Sequence, residues 1–233
     1  MEPPGTNREL IFARHQINQG QILGAIETLK RVLARDPNDA VAHGLLAVCL
    51  LDAKRPHGAE HEARECLRLD PESPIGHYAM GSVALARRRF DEAQRSFETL
   101  LELEPELAEN QRAMAALARA RGKTPEAEER LRQALELDPE DPTTLTELGT
   151  LRLAAGDVDG ADARAREALA LAPEHLDALV LKGAVELRRG QVGSAREHAV
   201  WALRLNADDD GALRLMASIK SRTNRLLGLW WRY

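Results

Sequence analysis

The sequence predicts an all-α chain of about six 34-residue helix-turn-helix repeats followed by one further helix. Three observations carry the prediction. Pro37, Pro71, Pro105, Pro139 and Pro173 fall 34 residues apart, with Ala207 at the next place, and a fixed period of that size marks repeated supersecondary units. Alanine recurs in the same frame at Ala25, Ala59, Ala93, Ala127, Ala161 and Ala195. The chain is 44% apolar yet only 3% aromatic, the composition of a core built from Ala and Leu.

Counted with the proline at place 32, the units begin at Thr6, Ala40, Pro74, Ala108, Pro142 and Leu176. The first helix of each carries a very small residue at place 8: Ala13, Ala47, Gly81, Ala115, Gly149 and Gly183. A turn follows at Gly20, Gly122, Gly156 and Gly190, with Lys54 and Arg88 in the other two units. The second helix carries the alanine column at place 20 and leucine at place 28, from Leu33 to Leu203. Small residues at two fixed places allow the paired helices to approach closely. The proline ends the second helix, because it lacks a backbone donor and restricts the residue before it. Asp210 opens a seventh unit whose second helix is missing, since Leu229 stands where alanine is expected.

These columns, with segments such as "EAEERLRQALELDPEDP" and "DEAQRSFETLLELEP", resemble the tetratricopeptide-repeat family, in its bacterial form. The resemblance runs from about Thr6 to Asn206 and implies a right-handed α-solenoid. It gives a lead at 1–5, six repeats at 6–209, a capping helix at 210–225 and an apolar aromatic tail at 226–233. The sequence departs from the family at three kinds of position. Place 4, large in the family, is His43, His77, Gln111, Leu145 and Leu179; place 11, often aromatic, includes Gln16, Arg152 and Glu186; and Lys182 replaces an apolar residue.

Charge separates body from tail. The formal net is −5, from 32 basic and 37 acidic residues. From Gly211 onward there are Arg214, Lys220, Arg222, Arg225 and Arg232 and no acid, leaving a net of −10 on what precedes. An acidic body argues against nucleic acid as a partner, which requires cations to displace phosphate counterions. The tail admits two readings. Arg225, Leu229, Trp230 and Trp231 either cap the last repeat or meet a membrane surface, where Trp, Tyr and cations gather. The opening "MEPPGTNREL" has no basic apolar start, so no secretory signal is expected, and the repeats are expected to be cytoplasmic, with the membrane a partner only through the C-terminus.

Motifs that invite catalytic readings dissolve in the repeat frame. His57-Gly58-Ala59-Glu60-His61 matches the H-x-x-E-H pattern of inverted zinc proteases. However, Ala59 is the inward-facing place 20, and no third ligand is identifiable. Gly122-Lys123-Thr124 resembles the end of a phosphate loop, but Leu117 stands where its first glycine belongs. Arg87-Arg88-Arg89 reads as a solvated edge at a turn. Cys66 lies at packing place 27, and a buried free thiol behaves as a small hydrophobe; with Cys49 it suggests a reducing compartment. No catalytic residue, metal ligand or cofactor is assigned, and no enzyme activity is expected.

What the resemblance implies is a protein-interaction scaffold with a groove along the first helices, chiefly at places 2, 5, 9, 12 and 13. Carried onto this sequence, the groove comprises Leu10, Arg14, Ile17, Val41, Val48, Leu51, Ile75, Tyr78, Ser82 and Leu85, then Glu109, Arg112 and Arg119, with Thr143, Thr146, Thr150 and Leu153 from the fifth unit and Val180, Ala184, Leu187 and Arg188 from the sixth. Such a surface suits a protein or peptide segment with apolar anchors and an acidic group. No three units supply the Lys and Asn set of the family's chaperone-tail clamp. The alternative is a membrane-tethered adaptor whose tail leads to an anchor and whose repeats recruit other components.

Overall fold

The computed structural model describes residues Thr6–Trp230, with side chains from Arg8 to Thr223. Thirteen helices and no strand are found among the described residues. In order they are α1 (Thr6–Asn18), α2 (Ile22–Arg35), α3 (Ala40–Asp52), α4 (Pro56–Leu69), α5 (Pro74–Ala86), α6 (Phe90–Leu103) and α7 (Ala108–Ala120). There follow α8 (Thr124–Leu137), α9 (Pro142–Ala154), α10 (Val158–Leu171), α11 (Leu176–Arg188), α12 (Val192–Leu205) and α13 (Asp210–Trp230). Every first helix begins where the proline frame opens a unit, and every second helix ends two residues before place 32. The all-α helix-turn-helix architecture is as the periodicity predicts.

The chain divides into two compact units, Met1–Ala127 and Glu128–Tyr233. In the first, each helix pairs with its predecessor, and α1, α3, α5 and α7 also touch in succession. One apolar cluster joins Ala13, Ala25, Ile26, Leu29, Leu45 and Leu46; another surrounds Phe97 with Ala84, Ala93, Leu100, Met114 and Leu117. In the second unit, Ala161, Ala165, Leu181 and Val185 form one cluster and Ala195, Ala199, Leu215 and Ile219 another.

The small-residue columns set the helix spacing. All six place-20 alanines are 0% exposed. At Gly81 an added methyl would lie 2.4 Å from a ring carbon of Phe97, so that glycine admits the ring. The turn between paired helices needs a left-handed residue at place 15. Gly20, Gly122, Gly156 and Gly190 supply it freely, and Lys54 (φ 57°) and Arg88 (φ 60°) adopt it despite their Cβ atoms. Carboxylate caps start several helices: Asp39 accepts from the Ala42 amide, Asp157 from Gly160 and Asp209 from Ala212.

Departures from the family pattern are filled by polar contacts. His43, at place 4, sets Nδ1 2.6 Å from the Glu62 carboxylate and Nε2 3.0 Å from the Pro37 carbonyl oxygen. His77 repeats the second contact with Pro71 at 2.9 Å. Gln16, at place 11, accepts from Thr28 Oγ1 at 2.9 Å in a buried setting. Lys182 is tied by its ammonium to Asp162 and, at 3.8 Å, to Glu186. A buried polar group must find partners, and here the paired helix, the connection before the helix or the preceding repeat provides them.

Helix α13 runs unbroken across the 225/226 boundary drawn from sequence. It packs through Ala212, Leu215 and Ile219, and Arg222 donates to the Leu187 carbonyl oxygen. The side chains of Arg225, Leu229 and Trp230, and all of Trp231, fall outside the described residues. Among those described, no helix is long and apolar enough to cross a membrane.

Candidate peptide-binding groove

Successive first helices of the N-terminal unit lie side by side, and the face that they leave open is a groove of about 580 Å³. Arg14 and Ile17 from α1, Val41 and Val48 from α3, and Ile75 and Tyr78 from α5 line it. Leu10, Leu51 and Leu85 belong to the same helices and pack, as Ile17 and Ile75 do, against the apolar clusters beneath, without lining the groove. Ser82 is half-buried and bonds to the Tyr78 hydroxyl. Arg112 reaches Glu109 at 3.7 Å, and Arg119 is exposed further along α7; neither lines the groove. In the second unit, Val180, Ala184 and Leu187 pack on a core cluster, while the Thr146 and Thr150 hydroxyls donate to backbone carbonyls one turn back.

Several lining residues escape a reading limited to the first helices. Asp70, Ser73, Glu104 and Leu107 come from the connections between repeats, while Asn18 and Asn110 stand near the ends of the first helices α1 and α7 themselves. The signal for the four connection residues lies at places 31 and 34, where the connections after α4 and α6 border the groove. Asn110 holds the second of these by donating to the Glu104 carbonyl oxygen at 2.8 Å.

Tyr78 brings the one aromatic side chain among the described lining residues. Burial pushes its phenol up to about 12, the charges of Glu109 and Asp52 add to the effect, and Arg112 and Ser82 only partly offset it. Burial also pushes the Asp52 carboxyl up. The cysteines behind the groove are both fully buried. Burial, then the Asp52 charge, pushes the Cys49 thiol up to about 11, and burial likewise raises that of Cys66. Thiols so protonated make poor nucleophiles and poor metal ligands.

The zinc-like motif serves another purpose. Glu60, only 5% exposed, is ion-paired to Arg64, Arg87 and Arg89. Burial alone would raise its carboxyl, but the Arg89 hydrogen bond and the three guanidinium charges outweigh it and hold the group below the usual carboxylate range. His57 Nδ1 accepts from Arg87 at 2.6 Å. Among the described residues no three metal-ligating side chains converge. Arg87 and Arg89 thus turn onto a buried acid, whereas the sequence suggests a solvated edge; Arg88 caps the face of the Phe90 ring at 5.8 Å.

The same clamp recurs at other repeat junctions. Arg121 binds Gln94 and, at 2.9 Å, Asp91. Arg189 binds Asp162 at 2.9 Å and Asp159 at 2.6 Å. In each case an arginine at place 14 grips places 18 and 21 of the repeat before it. Burial would raise the Asp162 carboxyl, yet hydrogen bonds from Lys182 and Arg189 hold it below the usual range. These acids are structural joints between repeats.

A stack of helix pairs with an open, apolar-floored face defines a repeat scaffold. Family models described as tetratricopeptide repeat match residues 16–83, 84–143, 118–165 and 146–210, and the chain belongs to the tetratricopeptide-repeat family. No curated protein sequence matches it at a significant level. Solved structures that share the fold include a thermophilic tetratricopeptide protein of Thermus thermophilus, at 22% identity and TM-score 0.73, covering 78% of this chain and 100% of that one. A Parabacteroides merdae repeat protein superposes at TM-score 0.76 and 16% identity, covering 94% and 86%. PilF of Pseudomonas aeruginosa does so at 0.61 and 19%, covering 91% and 96%. Tetratricopeptide repeats serve in general as protein-interaction scaffolds rather than as enzymes.

Proposed function

We propose that this chain is a non-enzymatic scaffold that holds a partner peptide or helix in the groove of its N-terminal unit. The observation that carries the reading is the lining itself. Ile17, Val41, Val48, Ile75 and Tyr78 present apolar surface around an open volume of about 580 Å³. That size and character suit a segment anchored by apolar side chains. Exposed apolar residues in a concave, polar-rimmed setting also mark interaction sites more often than scattered ones do.

Affinity capture followed by mass spectrometry tests it. Tyr78→Ala and Val41→Asp should each reduce recovery of the partner by roughly tenfold, the scale of losing one anchor. Glu98→Lys, on the exposed side of α6, should leave recovery unchanged. Circular dichroism should report unaltered helicity in all three. Equal recovery by the two groove variants and the parent would move the binding surface elsewhere. The membrane-tethered alternative rests on the tail's uncompensated cations, and co-sedimentation with anionic vesicles, reversed by salt, is its test.

A further inference from the structure

The groove is apolar at its floor and acidic at its rim. Asp70, Glu104 and Glu109 line it, against one cation among the described lining residues, Arg14, at the opposite end on α1. Asp52 adds a fourth acid close enough to act on the Tyr78 hydroxyl. Arg112, 20% exposed, lies 3.7 Å from Glu109 and offsets that acid, so the surplus negative charge of the rim comes from Asp70 and Glu104. The sequence alone favours an acidic ligand; the assembled groove presents the opposite charge.

We infer that the groove takes a cationic amphipathic segment of a partner protein, with apolar side chains on the floor and lysine or arginine at the end formed by Glu104 and Glu109. The inference rests on the groove reading above and adds the partner's charge and direction to it. Complementary charge at a rim speeds encounter and rejects like-charged competitors. It also gives a partly desolvated acid such as Asp52 the counter-charge that burial denies it. Arg14 at the far end sets the polarity: the basic end of the segment lies toward α7 and its less basic end toward α1.

The test uses the full chain and three fluorescein-labelled peptides of about 14 residues sharing one frame, with leucine at the i, i+3, i+4 and i+7 places. The remaining charged places are lysine, glutamine or glutamate. Fluorescence anisotropy at low salt should rank them lysine, glutamine, glutamate, with about a three- to tenfold step between neighbours. The double change Glu104→Gln with Glu109→Gln should collapse the ranking, and so should raising salt to about 0.5 M, where screening is strong. A flat or reversed ranking, with binding still lost on Tyr78→Ala, would overturn the charge inference and leave the groove reading standing. No measurable binding of any peptide would overturn both.

Discussion

The contact between Gly81 and Phe97 gives the sharpest test of how the repeats are packed. The Phe97 ring is 1% exposed and lies over Gly81, so that a methyl there would sit 2.4 Å and 2.5 Å from two ring carbons. Ordinary contact begins near 3.4 Å, and the ring must retreat by about 1 Å into close-packed neighbours. Overpacking of this kind costs about 1–3 kcal/mol. The helix interior returns about 1 kcal/mol when alanine replaces glycine. Gly81→Ala should therefore be destabilised by up to about 2 kcal/mol despite its better helix propensity. Phe97→Leu alone should cost about 1–2 kcal/mol through lost volume. Combined, the two should restore each other, because the methyl fills what the ring vacates, giving a favourable coupling of about 1–3 kcal/mol. Urea unfolding of the four proteins, followed by circular dichroism, measures it. A coupling below about 0.5 kcal/mol would mean that the two positions do not meet and that the small-residue column does not set the helix spacing.

The buried acids predict a specific acid limb. Because Glu60 and Asp162 are held below the usual carboxylate range in the folded state, their contribution is present above their unfolded value, near pH 4, and is lost as pH falls through the lower folded value. Glu60→Gln with Asp162→Asn should melt below the parent at pH 7, and the gap should close on acidification; a gap constant down to about pH 2 would refute the assignment. At Lys54, whose φ of 57° is a glycine conformation, Lys54→Gly should be about 1 kcal/mol more stable than Lys54→Ala. Thermal melts of the two compare them with the lysine side chain removed from both, and identical melting would show that the turn carries no strain.

The 34-residue period, the small-residue columns and the recurrent proline were enough to determine the helix pairs and their limits, because those features act locally. A proline ends its own helix, and a glycine at place 15 makes its own turn, wherever the repeat lies. The lining of the groove is another matter. Leu51 and Leu85 occupy the same nominal place as Ile17, and all three are half-buried, yet only Ile17 lines the groove. Whether a helix face meets solvent depends on where the neighbouring helix sits, which no single helix encodes. Likewise the charge of the groove came from Asp70, Glu104 and Glu109, two of them in connections that a first-helix reading passes over. The clamps at Arg87, Arg121 and Arg189 join residues 27 and 30 positions apart. That spacing is visible in the sequence once known, but only the stacking of one repeat on the next turns an arginine from solvent onto a buried acid.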